Sequence, residues 1–219
     1  MVFYLVTSKE HDCVIQCEVC YKIFSTPDIY NRIIDADGFD YAAKGIEEGL
    51  CNRVTCPHCH IEFTVENPLL IYSWQHKVYA ASYLCNMIFD AANLENALKI
   101  SGASDVTLRK TNFALEAAEK INIARFELND IKIEKFKTIK FPQYISMKSN
   151  VETIVFDRIE NDFMIFTHRH FTDSVISKFF VPLDEYNNFE FEIPDVPKGT
   201  WIKIDKNWIL KNTEAKNEF

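Results

Sequence analysis

Two Cys-x-x-Cys pairs stand inside two copies of one short pattern. The first pair is Cys17 and Cys20, and the second is Cys56 and Cys59. In each copy, three residues separate the second cysteine from an aromatic residue that is followed by a hydroxyl residue. Two intervening residues let a tight turn aim two sulfurs at one point, and two such turns supply the four ligands of a tetrahedral zinc site. The duplication therefore predicts a zinc ribbon with one structural Zn2+ ion, held by Cys17, Cys20, Cys56 and Cys59.

The predicted ligand set determines what the metal can do. We call residues 17–25 the first knuckle and residues 56–64 the second knuckle. Four thiolates fill the tetrahedral coordination of zinc and leave no position for a water molecule or a substrate. Zinc binding by such a set contributes on the order of 10 kcal/mol or more to folding, which a small two-knuckle domain would otherwise lack. We therefore expect a structural, non-catalytic metal centre.

Seven cysteines could instead form disulfides in a secreted protein. The first six residues, Met-Val-Phe-Tyr-Leu-Val, lack the basic segment of a secretory signal, and no apolar run reaches membrane-spanning length. We therefore expect a cytoplasmic protein that does not enter a membrane, in which paired cysteines bind metal. Cys13, Cys51 and Cys85 are left over, and Cys85 is expected to be a small buried apolar side chain.

A thiol-disulfide oxidoreductase is an alternative, because Cys56-Pro57-His58-Cys59 is also the sequence of an oxidising redox motif. That chemistry needs the first thiol at the N-terminus of a helix, where the dipole and the histidine lower its pKa. Residues 61–65 instead alternate apolar and polar side chains, which favours a strand. A redox enzyme would also have no need of the other cysteine pair, Cys17 and Cys20. The zinc ribbon is therefore the better interpretation.

The charge of the chain bears on its partners. The formal net charge is −8, and 47% of the residues are hydrophobic. An acidic chain is a poor ligand for nucleic acid, because binding phosphates requires clustered Lys and Arg. One basic segment, residues 130–140, carries four lysines on a predicted helix and keeps a nucleic-acid-binding zinc ribbon open as a second alternative. Glu134 and Asp130 lie among these lysines, so an ordinary solvated helix face is the better interpretation.

Hydrophobic periodicity predicts an α+β chain. Residues 1–86 are expected to form the zinc-ribbon domain, with an inserted strand at 29–34, a helix that starts after Asp37 and ends at Gly49, and a strand at 51–55. A β-hairpin follows at 69–74 and 78–84, with His76 in its turn. Residues 87–142 should be mainly helical, residues 143–210 β-rich and antiparallel, and residues 211–219 a frayed tail.

A pair of helices is expected in the second half of residues 87–142, after a helix at 87–99 and a strand at 106–110. The first helix of the pair runs to about Phe126 from a cap at Thr111 or Asn112, with Glu116 and Lys120 paired on its outside. Asn129 or Asp130 caps the second helix. Pro142 ends it.

Strands are predicted at 152–156, 163–166, 174–180, 189–193 and 200–204, with a final turn capped by Asp205. Their aromatic residues are expected to form the core of a small antiparallel sheet. His168 and His170 stand two residues apart on one of these strands, which would place both rings on one face. No acidic residue is spaced to complete a catalytic site with them, so they are interpreted as a surface strand end.

The chain resembles the CpXC-domain family of bacterial and archaeal proteins, to which no reaction is assigned. The resemblance covers roughly residues 12–140 and implies a four-cysteine metal site. Two positions depart from the pattern: Glu18 stands where the family often has proline, and His60 where a glycine commonly follows the second pair. The matching residues are Cys17-Glu-Val-Cys20, the insert ending at Gly49, Cys56-Pro-His-Cys59, Asn67-Pro-Leu-Leu70, Glu119-Lys120-Ile121 and Leu128-Asn-Asp130.

The sequence lacks a Gly-rich phosphate loop, a Gly-x-Ser-x-Gly elbow and a His-Glu-x-x-His motif. Enzymatic activity is therefore not indicated. The function predicted from the sequence is that of a non-catalytic, zinc-stabilised module that binds protein partners as a scaffold.

Overall fold

The computed structural model describes residues 13–17, 19–26, 33–37, 53–64, 70–82, 105–142, 152–170 and 176–213. These residues form an α+β structure, as predicted. The first strands are β1 (Cys13–Gln16), β2 (Ile23–Thr26), β3 (Ile33–Asp35), β4 (Arg53–Thr55), β5 (Glu62–Thr64), β6 (Leu70–Ser73), β7 (Val78–Ser82) and β8 (Thr107–Thr111). The elements after β8 are α1 (Ala114–Arg125), α2 (Asp130–Lys140), β9 (Glu152–Glu160), β10 (Phe163–His170), β11 (Ile176–Pro182), α3 (Leu183–Asn187), β12 (Trp201–Ile202) and α4 (Lys206–Thr213).

The largest sheet has the strand order β12-β8-β7-β6-β3. Its centre is the predicted hairpin of β6 and β7, which is confirmed: the two strands are antiparallel, and His76 lies in the turn between them. Lys77 closes this turn with a positive φ of 54° and a hydrogen bond from its N–H to the Trp74 carbonyl. The other three pairings in the sheet are parallel. The predicted helices at 38–49 and 87–99 lie outside the described residues.

Helix α1 packs against both larger sheets. Ala117, Ala118 and Ile121 lie in the core with residues of β6 and β7, while Ile123 belongs to the core beneath the sheet of β9, β10 and β11. Alanine side chains are short, so the helix backbone approaches the large sheet closely. None of the helices in the described parts of the chain is long and apolar enough to span a membrane.

The sheet of β9, β10 and β11 is antiparallel, and aromatic residues form its core, as predicted. Phe136 of α2 stacks on Phe166 at 6.2 Å between ring centroids, and Phe156 meets Phe166 edge to face at 5.8 Å. Such pairs add about 0.5–1.5 kcal/mol each beyond the burial of their surface. This sheet therefore holds α2 as well as α1.

Two predictions for the C-terminal region are wrong. Residues 189–193 do not pair in any sheet of the described residues; Phe189 packs instead on Phe136 with its ring centroid 5.6 Å away. The strand predicted at 200–204 is the short β12, which pairs in parallel with β8 in the five-stranded sheet. Alternating side chains indicate an extended segment with one apolar face, but they do not specify which strand it pairs with. The predicted cap is confirmed, because Trp208 donates its N–H to Asp205 at 2.9 Å.

The helical pair agrees with the prediction in position but not in the role of its charges. Asn129 caps α2 by accepting the N–H groups of Ile131 and Lys132. The predicted outside pair of Glu116 and Lys120 is wrong. Lys120 is buried and donates to Glu134 at 2.8 Å, whereas Glu116 accepts the N–H of Asn112 at the start of α1.

Four buried side chains form what we call the charge tetrad: Glu119, Lys120, Glu134 and Lys137. Lys137 donates to Glu119 at 2.8 Å and to Glu134 at 2.9 Å. Two contacts with β9 extend the tetrad: Glu119 accepts the N–H of Phe156, and Lys137 donates to the Ile154 carbonyl. The tetrad therefore joins α1, α2 and β9 at one point.

Candidate metal centre

The two knuckles have the same backbone structure. In the first, Cys17 donates its N–H to Lys22 and Tyr21 donates to Cys17, at 3.0 and 2.9 Å. In the second, Cys56 donates to Ile61 and His60 donates to Cys56, both at 2.9 Å. The duplication seen in the sequence is therefore a duplication of structure, with each cysteine pair in a tight turn at the end of a short hairpin.

One residue in each turn has a left-handed backbone. Tyr21 has a φ of 58° and His60 a φ of 60°, and both stand directly after the second cysteine of their pair. This conformation costs a non-glycine residue roughly 1–2 kcal/mol. The cost gives a physical reason for the glycine that commonly follows the second pair in the CpXC pattern.

The four sulfurs of Cys17, Cys20, Cys56 and Cys59 lie within 4.8 Å of one another. Cys17 Sγ is 3.6 Å from Cys59 Sγ, and Cys20 Sγ is 3.6 Å from Cys56 Sγ. A tetrahedron whose corners lie about 2.3 Å from a central zinc ion has edges of about 3.8 Å. Disulfide sulfurs would lie about 2.05 Å apart. The spacing of the sulfurs therefore fits a metal ion held jointly by both knuckles.

Two hairpins bring the knuckles together. Strands β1 and β2 pair around the first knuckle and β4 and β5 around the second, both antiparallel. Phe24 and Phe63, the equivalent aromatic residues of the two copies, meet edge to face with ring centroids 6.4 Å apart. The repeated aromatic residue is thus part of the contact between the two halves of the centre.

The surroundings of the thiols favour thiolates in the first position of each pair. The N–H groups of Cys20 and Val19 lower the pKa of Cys17 to about 6. Burial raises the pKa of Cys56, but the N–H groups of Cys59 and His58 outweigh burial and the pKa ends below its usual value. The Ile61 N–H lowers the pKa of Cys59, yet burial and the neighbouring sulfurs raise it to about 12. Four adjacent sulfurs cannot all carry a charge without a cation among them.

The structure accounts for some of the other cysteines and histidines singled out in the sequence. Cys13 begins β1, whereas Cys51 and Cys85 lie outside the described residues. His58 contributes its backbone N–H, which donates to Cys56 Sγ at 3.4 Å, while its side chain is exposed. His168 and His170 stand near the end of β10, and the ring of His168 lies 6.5 Å from that of Phe179.

The two alternative functions lose support in this geometry. Cys56 lies between β4 and β5 rather than at the start of a helix, and its sulfur lies 3.6 Å from that of Cys20 in the other knuckle. The prediction of an ordinary solvated face for the lysines of α2 is also wrong for Lys137, which is buried. Lys140 pairs with Glu185. The geometry therefore gives no helix N-terminus to a redox thiol, and it engages two of the four lysines of α2 within the protein.

The hairpin of the first knuckle also has an exposed apolar surface that sequence reasoning missed. Val14 is 74% exposed, Tyr21 71% and Ile23 65%. We call these three residues the knuckle patch. Their apolar character is visible in the sequence, but a short strand that carries apolar residues on both faces does not reveal which face is left uncovered.

A sequence model of the family described as "CpXC protein" matches residues 15–137. The match includes both knuckles, the hairpin of β6 and β7, helix α1 and most of α2. No curated protein and no solved structure matches the chain at a significant level. Since the family match spans more than half of the 219 residues, the chain belongs to the CpXC protein family.

Proposed function

We propose that this chain is a non-catalytic protein-interaction module whose N-terminal zinc ribbon is stabilised by one Zn2+ bound to Cys17, Cys20, Cys56 and Cys59. The observation that carries the proposal is the cluster of four sulfurs, two from each knuckle, within 4.8 Å. An all-sulfur tetrahedral set favours zinc over magnesium or calcium, which prefer oxygen ligands. With all four positions taken by protein, the metal has a structural role.

Metal content and thiol reactivity test this centre together. Purified protein is expected to contain one zinc per chain, and a chelator should make four thiols reactive at once, because all four are bound to the same ion. Elemental analysis and a timed thiol titration measure both quantities. A metal-free protein with a hyper-reactive Cys56 that forms a reversible disulfide with Cys59 would instead make the chain a thiol-disulfide oxidoreductase.

The knuckle patch supports the interaction part of the proposal. Its residues lie on β1, on β2 and in the turn between these strands, close to the metal centre. Exposed apolar residues that lie close together mark interaction surfaces more often than isolated ones do. A bound metal would hold the hairpin rigid, which lowers the entropy that a partner must overcome on binding. These features support the first knuckle as the proposed partner surface.

Replacing Ile23 by aspartate is expected to abolish partner binding without loss of zinc, because the carboxylate would be buried against an apolar partner surface. Proteins recovered with the wild-type chain from its native cells are compared with those recovered with I23D, by quantitative mass spectrometry. Thr55→Asp is the matched control, since it adds the same charge at an exposed position of the other hairpin. Equal loss of partners from both variants, or from neither, would rule out the knuckle patch as the partner surface.

A further inference from the structure

The two edges of the sheet of β9, β10 and β11 differ. At the β9 edge, helix side chains bond to the strand backbone: Glu119 accepts the N–H of Phe156, and Asn122 donates to the carbonyl of Asp157. The other edge is β11, which pairs with β10 on one side. Within the residues that the structure describes, no strand pairs with its other side. The β9 edge is therefore closed by the helices, whereas the β11 edge is open.

The hydrogen bonds to β10 show which backbone groups of β11 point outward. Leu183, just after β11, donates its N–H to the carbonyl of Asp162. In an antiparallel pair, every second pair of opposite residues exchanges hydrogen bonds. The residues of β11 that bond to β10 are therefore Ser177, Phe179 and Val181. The residues that direct their backbone groups away from β10 are Ile176, Lys178, Phe180 and Pro182.

The open edge also has exposed aromatic surface. Phe180 is 61% exposed, although it lies directly opposite Ile165 of β10, which is buried. Lys178 is exposed on the same face, because residues two apart on a strand point to the same side. On the opposite face, Phe179 packs on Phe141 with ring centroids 5.2 Å apart. The edge thus combines unpaired backbone groups with apolar surface on both faces, the combination by which a sheet accepts a further strand.

A second copy of β11 fits this edge in one register. When two antiparallel copies are related by a two-fold axis, their hydrogen bonds join residues that point outward in both copies. A pairing centred on Lys178 would place the two lysines directly opposite, which is unfavourable. A pairing centred on Ser177 would place Phe180 opposite Ser174, which lies beyond the end of β11. A pairing centred on Phe179 has neither defect.

In the pairing centred on Phe179, each Lys178 lies opposite the partner's Phe180 and exchanges backbone hydrogen bonds with it. The lysine ammonium can then lie over the phenylalanine ring and cover it. Ile176 lies opposite the partner's Pro182, whose carbonyl accepts the Ile176 N–H and whose missing N–H ends the ladder. Lysine and proline on an edge strand limit its pairing. Here the lysine excludes one register, and the proline limits the length of the ladder.

We propose that two copies of this chain associate through β11, in an antiparallel pairing centred on Phe179. Their three-stranded sheets then form one continuous sheet across the two-fold axis. Strand β11 contains no residue of either knuckle, so this association is independent of the metal centre and of the knuckle patch.

The mass of the full-length protein is measured by light scattering and by sedimentation at increasing concentration. It is expected to rise from the mass of one chain to that of two. Amide hydrogen exchange, resolved residue by residue, tests the register. Exchange at Lys178 and Phe180 should slow by about tenfold or more in the dimer, because both N–H groups face the partner. The amides of Ser177 and Phe179 already bond to β10, so their exchange should not change.

Two variants test the interface by different routes. Phe180→Lys places a cation opposite the partner's Lys178 and is expected to weaken association by about tenfold or more. Phe163→Lys is the matched control, because it makes the same replacement at another exposed phenylalanine, on β10 and away from the open edge. It should still form dimers. Lys178→Pro removes an outward N–H without touching the bonds to β10, and it should give monomers.

The K178P variant keeps the test decisive if F180K does not fold, since protected amides at Ser177 and Phe179 report an intact β11. A wild-type chain that stays monomeric at every concentration would overturn the proposal. A dimer in which the Lys178 and Phe180 amides exchange as fast as in the monomer would overturn it as well. The same holds for a dimer that neither F180K nor K178P weakens, and for equal weakening by F180K and F163K.

Discussion

Replacing Cys56 by serine is expected to abolish zinc binding and to unfold both knuckles. A serine hydroxyl stays protonated at neutral pH and does not replace a thiolate ligand. The knuckles are short hairpins, and zinc binding contributes on the order of 10 kcal/mol or more to such folds. Hydrogen exchange is expected to lose protection in residues 13–26 and 53–64. The cores around α1 and α2 should keep theirs, since these clusters contain no knuckle residue.

Cys51→Ser is the matched control for this experiment. It makes the same chemical change five residues away, outside the predicted ligand set. Zinc content and exchange protection should match those of the wild type. A C56S protein that keeps one zinc per chain, or keeps its knuckles protected without metal, would contradict the four-cysteine site.

The geometry of the candidate centre could be foreseen because the information is local. A Cys-x-x-Cys spacing specifies a turn, and two copies of that turn specify four sulfurs that can share one ion. The repeated positions of Phe24 and Phe63 are also visible in the sequence, whereas the contact between their rings is a finding of the structure. The positive φ of Tyr21 and His60 could not be predicted in the same way, because glycine is the residue that usually marks such a backbone conformation and neither residue is a glycine.

The burial of Lys120 and Lys137 could not be foreseen from the spacing of charges. On an isolated helix, Glu116 and Lys120 are four residues apart and would pair at the surface. Here α1 is covered by sheets on both sides, so Lys120 pairs across to α2. The same limit applies to β12, whose parallel partner β8 lies about ninety residues earlier in the chain. Such pairings depend on tertiary packing, which short-range patterns do not encode.

Replacing Lys137 by methionine is expected to lower the free energy of unfolding by about 3–5 kcal/mol, because it removes one of the two cations that neutralise the buried carboxylates. Lys137 touches both carboxylates of the charge tetrad, Glu119 and Glu134. Burial alone would raise the pKa of Glu134, but the charges of Lys120 and Lys137 outweigh it and lower the pKa to about 2. The measurement is urea denaturation of metal-loaded protein, followed by a signal from the aromatic core.

Two further variants separate lost charge compensation from a poor fit of the methionine. Lys135→Met makes the same replacement on α2 at a half-buried position outside the tetrad, and it should change stability by less than about 1 kcal/mol. Adding Glu119→Gln to K137M removes one of the carboxylates left unpaired, so the double variant should cost less than the sum of the two single variants. Additive effects would mean that Lys137 acts through packing alone. A K137M protein as stable as K135M would show that the tetrad does not hold α1, α2 and β9 together.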